Sequence, residues 1–229
     1  MSNLKNVIDY VLFSVDPVIL TIREGELSVL VVRRNSAPFK GAWGLPGGRV
    51  DKHECSDLDQ ALAQKLREKT GIENMFFEQV QTYGSIDMDP RGWSVTTSYL
   101  ALADSDSLEF EDNDRQKWLE VKSVGKECKL AFWHDQIVLD AVNRLKSKSL
   151  YTDLPVNLMP NKFTYQMLRS AFETVLGFKI ARQGFTKRMD DAAIFSDTGE
   201  RERGSNRPAP LFRKKRRGGA HVFPRQLKG

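Results

Sequence analysis

The spacing of hydrophobic positions over residues 12–145 predicts several strands and a closing helix. The stretch VILTIREGELSVLVVRR, residues 18–34, is rich in β-branched side chains and is interrupted at Glu24-Gly25-Glu26, which predicts two strands joined by a tight turn. The stretches MFFEQVQTYG, WSVTTSYLALA and KWLEV predict further strands. In WHDQIVLDAVNRLKSK, apolar residues recur every four positions and predict an amphipathic helix. A sheet packed against helices follows, an α/β sandwich.

The second half of the chain has a different pattern. FTYQMLRSAFETVLG predicts a helix that begins near Thr164 and ends at Gly177, and ARQGFTKRMDDAAIF predicts a second helix. IFSDTGERERGSNRPAPLFRKKRR predicts a strand, a turn and a strand. Two helices followed by a basic hairpin have the layout of a winged helix-turn-helix. The stretch SKSLYTDLPVNLMPNK, which holds two prolines, predicts a linker, so we expect domains at 1–150 and 151–229.

The distribution of charge supports this division. The chain of 229 residues has a net charge of +5, which divides into −4 over residues 1–150 and +9 over residues 151–229. A basic second domain is typical of proteins that bind a polyanion, although a solvated basic tail has the same charge. The two cysteines have neither metal-type nor disulfide spacing. Neither a signal peptide nor a membrane segment is predicted, so we expect a cytoplasmic protein.

The stretch GLPGGRVDKHECSDLDQALAQKLREKTGI, residues 44–72, carries the candidate chemistry. A glycine pair at Gly47-Gly48 allows backbone N–H groups to approach a phosphate. Ser56 is predicted to cap a helix, with Asp59 reaching back to it, and Gly71 is predicted to end that helix.

This stretch resembles the Nudix hydrolase motif, which is Gly, five residues, Glu, seven residues, then Arg-Glu-apolar-any-Glu-Glu-any-Gly-apolar. Gly48 and Glu54 fit its start, and Leu66, Gly71 and Ile72 fit its end, but the interval between Glu54 and Gly71 is two residues too long. The Arg-Glu pair of the motif falls on Gln64 and Lys65. Its final Glu-Glu pair falls on Glu68 and Lys69.

These substitutions bear on catalysis. In Nudix enzymes three carboxylates at i, i+3 and i+4 share one helix face and hold the divalent metals. Here that face reads Lys65, Glu68, Lys69, and its formal charge changes from −3 to +1. We therefore predict a box that is kept structurally and has lost its metal site and its hydrolase activity; acids elsewhere in the chain that restore the site are the alternative. Neither His53 nor His134 is predicted to bind metal, and His134 is expected to pack or hydrogen-bond at the start of its helix.

A second segment, DMDPRGWSV, resembles the Asp-Pro-Arg-Gly segment of Nudix proteins that take ADP-ribose. Asp89, Arg91 and Gly92 match it, whereas Met88 stands where an Arg is common. The guanidinium of Arg91 suits the paired oxygens of a phosphate or a terminal ribose, and Trp93 or Phe39 is a candidate for stacking an adenine. A plain β-turn is the alternative. The predicted ligand-binding residues are Gly47, Gly48, Arg49, Asp89, Arg91 and Trp93.

The basic second domain is predicted to bind double-stranded DNA, with its second helix in a major groove. A protein-docking winged helix and a disordered tail are the alternatives. Gly184 weakens that helix unless it lies at the start, and Asp190 and Asp191 must lie away from DNA. The residues predicted to contact DNA are Arg182, Gln183, Thr186, Lys187 and Arg188, all expected to be exposed on the helix, and Arg203, Arg207, Arg213, Lys214 and Lys215 of the hairpin and its end.

Taken together, these features resemble the bacterial Nudix-related transcriptional regulators of NAD metabolism. The resemblance covers nearly the whole chain and includes LAFWHDQIVLDAVNRLKSKSLY, where Trp133 departs from the pattern of the family, and TGERERGSNRPAPLFR. It implies an α/β/α sandwich of Nudix type followed by a winged helix-turn-helix domain. It also implies a homodimeric repressor of NAD-synthesis or salvage genes that binds a palindromic operator, needs no cofactor and is released by ADP-ribose. Other hypotheses are a Mg²⁺-dependent ADP-ribose pyrophosphatase with a basic accessory domain and an RNA-associated Nudix protein. The regulator hypothesis predicts that Arg188→Ala weakens DNA binding alone and that Arg91→Ala abolishes ligand release alone.

Overall fold

A seven-stranded mixed sheet forms the centre of the first half of the chain. The computed structural model describes residues 11–51, 53–71, 75–104, 112–202, 208–215 and 220–228. The strands run in the order β3-β2-β1-β6-β5, with β4 beside β1 and β7 beside β2; β1 and β6 are parallel, and the other pairs are antiparallel. The strands are β1 (Leu12–Arg23), β2 (Glu26–Arg33), β3 (Trp43–Gly44), β4 (Gly48–Arg49), β5 (Phe76–Ser85), β6 (Ser94–Leu102) and β7 (Gln116–Glu120).

One helix covers each face of this sheet. Helix α1 (Leu58–Thr70) buries Ala61, Leu62 and Leu66 against one face, and α2 (His134–Ser149) buries Ile137, Ala141 and Leu145 against the other. The long strands are buried on both sides, which explains their continuous runs of Val, Ile and Leu. The predicted α/β/α sandwich is therefore confirmed.

The start of α1 differs from the prediction. Its N-cap is Asp57 rather than Ser56, because the Asp57 carboxylate accepts a hydrogen bond from the backbone N–H of Gln60 at 2.8 Å. The side chain of Gln60, not that of Asp59, reaches back and accepts the N–H of Ser56. The helix ends as predicted at Gly71, which has a left-handed conformation with φ of 73°.

The second half forms a winged helix. It consists of α3 (Tyr165–Leu176), α4 (Arg182–Ala192), β8 (Phe195–Arg201) and β9 (Pro210–Lys214), with the two strands paired antiparallel. Thr164 caps α3 and Gly177 ends it, as predicted. Phe163, Phe172 and Phe185 are wholly buried in its core. Arg203 and Arg207 lie outside the described residues.

The predicted linker is a packed segment. Residues Leu154–Leu158 form a 3-10 helix, in which Leu154 and Leu158 enter the core beneath α2 and Val156 enters the core of the winged helix. Its prolines and turn formers indicated an irregular segment, but burial by the two neighbouring cores fixes its position. The C-terminal residues 220–228 return to the same place, where the N–H of Phe223 donates to the carbonyl of Tyr151 at 2.7 Å. Within the described ranges, no helix is long and apolar enough to cross a membrane.

Candidate functional site

A cavity of about 700 Å³ opens where β1, β2, the glycine loop and the start of α2 meet. Its volume lies in the range of roughly 300–1,000 Å³ that is usual for small-molecule sites. The structure brings two separate predicted elements into its wall, the Gly47-Gly48-Arg49 loop and the Asp89–Arg91 turn. These elements are about forty residues apart in sequence, so only the fold makes them one site.

The glycine loop lies directly against β1. A Cβ atom at Gly47 would overlap the Asp16 carboxylate and the carbonyl of Val15, so no larger residue fits without moving the loop. Asp16 is buried, accepts a 2.6 Å hydrogen bond from Thr96 and lies with Oδ1 3.7 Å from Nε2 of His134. The Nδ1 atom of His134 accepts the N–H of Leu45, and burial lowers the pKa of His134. His134 therefore holds the loop as a neutral side chain, which confirms the predicted hydrogen-bonding role.

The Asp-Pro-Arg-Gly segment forms a turn that is also charged. The guanidinium of Arg91 grips the buried carboxylate of Asp89, with Nη2 to Oδ2 at 2.6 Å. Burial alone would raise the pKa of Asp89, but the hydrogen bonds and charge of Arg91 more than offset this and hold it below its usual range. About half of the Arg91 side chain remains exposed at the cavity. The segment is therefore a turn whose arginine lines the cavity, which is compatible with the predicted contact between Arg91 and a ligand.

The cavity is basic overall. With His134 neutral, the ionised side chains of its wall have a net charge of +3. Burial and the neighbouring charge of Arg91 lower the pKa of Arg34, whose guanidinium stacks on Phe132 at 4.5 Å. Such a wall favours an anion that carries more than one negative charge. The cations are Arg33, Arg34, Arg49, Lys69, Arg91 and Arg115, and the carboxylates are Asp16, Glu68 and Asp89.

The altered box forms a closed network at the edge of this cavity. The amide of Gln64 donates to Glu54 and to Glu68, each at 2.9 Å, and the ammonium of Lys65 donates to the other oxygen of Glu68 at 3.0 Å. The hydrogen bond from Lys65 lowers the pKa of Glu68 below its usual value. Among the residues that the structure describes, no group of three or more His, Cys, Asp or Glu side chains is arranged to hold a metal ion. The residues present do not fit the divalent metals of the Nudix motif.

The two aromatic residues that were candidates for stacking an adenine lie outside the cavity wall. Trp93 packs its ring over Gly84 and is about half exposed, and neither Trp93 nor Phe39 belongs to the cavity wall. The sequence reasoning also missed cavity residues, among them Asp16 and Arg34. Asp16 left one signal, an acidic residue inside an otherwise apolar strand; Arg34 left none, because an arginine after a strand is ordinary.

The first two turns of α4 hold the helix residues that were predicted to contact DNA. Arg182, Gln183 and Lys187 are exposed as predicted, whereas Thr186 is half-buried, so the prediction that it is exposed is wrong. Gly184 is the third residue of the helix, so its cost to helix stability falls at the start, as required. Asp190 and Asp191 lie at the far end, where Asp191 pairs with Lys187 and Asp190 accepts from Tyr165.

The prediction that Arg188 is exposed is wrong. Its guanidinium lies over the ring of Phe223 at 4.0 Å, Nη2 donates to the carbonyl of Leu150 at 3.4 Å, and burial lowers its pKa. The side chain points from α4 toward the end of α2 and the C-terminal segment. No local pattern predicts this contact, because residues 220–228 return to α4 only through tertiary packing.

Two hairpin cations are also engaged within the protein. Lys214 lies 3.2 Å from the wholly buried carboxylate of Asp153, whose other oxygen accepts the N–H of His221 at 2.6 Å. Lys215 donates to the carbonyl of Ala193 at the end of α4. Arg213 is exposed. We call the packed set of Leu150, Asp153, Arg188, Lys214 and Phe223 the joint, because it connects α2, α4, β9 and the C-terminal segment.

Comparison with known proteins identifies the family. Residues 14–141 match the NUDIX domain, and residues 155–213 match the NrtR DNA-binding winged helix domain. The chain is 35% identical over 218 residues to the ADPR responsive transcriptional repressor NtrR of Acinetobacter baylyi, with 94% of this chain and 87% of that protein covered. The chain belongs to the NrtR family.

Two solved structures extend the likeness to three dimensions. The NrtR of Shewanella oneidensis in complex with a 27mer DNA has a TM-score of 0.87 and 34% identity, covering 94% of this chain and 99% of that one. The NUDIX domain of the same NrtR in complex with ADP ribose has a TM-score of 0.54 and 37% identity, covering 60% of this chain and 90% of that one. Both modules of the NrtR architecture are therefore present here in the same order.

Proposed function

We propose that this protein is a homodimeric, cytoplasmic repressor of NAD-synthesis or salvage genes, which ADP-ribose releases from its operator. One observation carries the ligand half of the proposal: the glycine loop and the Asp89–Arg91 turn meet in one cavity of net charge +3. ADP-ribose offers that cavity a diphosphate, two riboses and an adenine. The ligand-binding residues we propose are Gly47, Gly48, Arg49, Asp89 and Arg91.

The DNA half rests on the exposed face of α4 and on family membership. Arg182, Gln183 and Lys187 stand on the helix that a winged helix inserts into a major groove. A dimer places two such helices on a palindrome, with half-sites about one helical turn apart or a multiple of it. Arg213, which is exposed, supplies a phosphate contact, whereas Arg188 and Lys214 act through the joint.

A physical route connects the two halves. Helix α2 begins at His134 in the cavity wall and ends at Ser149, and the next carbonyl, that of Leu150, accepts hydrogen bonds from Arg188 and Leu227. A ligand shifts an equilibrium only if it binds one arrangement better than another. We infer that ADP-ribose favours an orientation of α2 that moves the joint, and with it helix α4 of each protomer in the dimer.

The test is a mobility shift with duplex DNA from upstream of the organism's NAD-synthesis genes, with and without ADP-ribose. We expect a sequence-selective shift that ADP-ribose reverses. Arg91→Ala should keep the shift and lose the reversal, because the substitution removes a cavity cation far from α4. A shift indifferent to ADP-ribose in the unaltered protein would contradict the proposal.

A second candidate, a Mg²⁺-dependent ADP-ribose pyrophosphatase, is favoured by one feature: Glu54 and Glu68 remain, both within reach of Gln64. We propose that the box is nonetheless inactive, because Lys65 and Lys69 stand where two metal-binding carboxylates belong. Formation of AMP from ADP-ribose in the presence of Mg²⁺ would restore the enzyme hypothesis.

A further inference from the structure

The network around Glu68 takes up the oxygens that a metal would need. Each oxygen of Glu68 accepts a hydrogen bond from a different neighbour, Gln64 on one side and Lys65 on the other. Gln64 is itself oriented by Cys55, whose Sγ lies 2.8 Å from its amide oxygen. A magnesium ion would have to break these bonds and displace the ammonium of Lys65, whose side chain is only 15% exposed.

The charges of the network also cancel. Glu54 and Glu68 are balanced by Lys65 and Lys69, so the box no longer offers the excess negative charge that attracts Mg²⁺. The stem of Lys65 packs along the glycine loop, because a Cβ atom at Gly48 would lie 3.3 Å from its Cδ. Lys65 therefore ties α1 to the loop at the place where the phosphates of a ligand would arrive.

Two cations remain directed to the cavity. Lys69 in the last turn of α1 and Arg49 on β4 both line it and are exposed, and the described part of the chain provides neither with a carboxylate partner within ion-pair distance. A diphosphate between them would meet two charge-assisted donors and the N–H groups of the glycine loop.

We propose that this site binds the diphosphate of its ligand without a divalent cation, with Lys69 and Arg49 supplying the positive charge, while Gln64 engages both remaining carboxylates and Lys65 neutralises Glu68. This inference rests on the proposed function, since it concerns how the same cavity takes ADP-ribose. It adds a property that the function alone does not require, namely indifference to Mg²⁺.

The experiment is isothermal titration of the full-length protein with ADP-ribose, once in EDTA and once in millimolar MgCl₂. We expect dissociation constants that agree within about twofold, because no ligand–metal contact contributes to binding. Binding only in MgCl₂, or binding strengthened about tenfold or more by it, would overturn the inference and leave the proposed function intact. Absence of binding in both buffers would instead overturn the proposed function.

Two variants separate the roles of the cations. Lys69→Ala should weaken binding about tenfold in both buffers, since one charge-assisted phosphate contact is lost. Arg67→Ala removes one cation from the same helix outside the cavity wall and should leave the affinity unchanged. The double substitution Lys65→Glu with Lys69→Glu recreates three carboxylates on one helix face, so its binding should become weak in EDTA and recover with MgCl₂. Equal affinity of Lys69→Ala and the unaltered protein would refute the role of Lys69.

Discussion

Replacement of Arg188 and of its neighbour Lys187 by alanine tests whether the first is a structural cation and the second, as we propose, contacts DNA. Lys187 is exposed and pairs with Asp191 at the helix surface, so its loss should change the free energy of unfolding by at most about 0.5 kcal/mol. Arg188 stacks on Phe223 at 4.0 Å, a contact worth about 1–2 kcal/mol when partly desolvated. Its Nε is buried without a hydrogen-bond partner among the described residues, which places the expected loss near the lower end, about 1 kcal/mol.

The salt dependence of DNA binding distinguishes the two roles further. Each phosphate contact contributes about 0.9 to the slope of log K against log salt, so Lys187→Ala should lower that slope by about 0.9 for each protomer bound. Arg188→Ala should leave the slope unchanged while weakening binding at every salt concentration, because it misplaces α4. Fluorescence anisotropy between about 50 and 200 mM KCl, with urea unfolding of both variants, measures these effects. An unchanged unfolding curve for Arg188→Ala, together with a slope reduced as much as in Lys187→Ala, would refute the reasoning.

Three further predictions concern the cavity, helix α4 and the joint. Gly47→Ala should abolish ADP-ribose binding in a calorimetric titration, because the added Cβ overlaps β1; a Gly47→Ala protein that binds normally would contradict this packing. Gly184→Ala places its Cβ in open space within α4, so it should raise the free energy of unfolding by up to about 1 kcal/mol. Burial lowers the pKa of His134, so this side chain binds its proton more tightly in the unfolded chain than in the folded protein. The free energy of unfolding should therefore fall by at most about 1.4 kcal/mol per pH unit as the pH drops below about 6.5. Urea unfolding at several pH values measures this, and a stability that rises as the pH falls would contradict it. Asp153→Ala should lower the free energy of unfolding in urea by about 3 kcal/mol, because it leaves Lys214 unpaired in the joint. Asp112→Ala, at an exposed ion pair, should lower it by less than about 1 kcal/mol. Equal losses in the two variants would argue against a structural role for the joint.

The strands and helices were readable from the sequence because each has a strong local signal. Thr164 and Gly177 marked the two ends of α3, and the interruption at Glu24-Gly25 marked the first hairpin. The choice between Ser56 and Asp57 as the cap of α1 was not readable, since both residue types cap helices and only the backbone conformation decides between them. The contact between Arg188 and Phe223 could not be predicted either, because the two residues are 35 positions apart in sequence.

The sequence by itself determined the two modules, the loss of the carboxylate triad and the charge that separates the halves, because these depend on residue identity and short-range spacing. The tertiary structure decided which charges remain available. It placed Arg91 and the glycine loop in one cavity, closed Glu68 between Gln64 and Lys65, and turned Arg188 and Lys214 into the joint. Whether a cation meets solvent, a ligand or a buried carboxylate depends on contacts between segments distant in the chain, and no local pattern encodes such contacts.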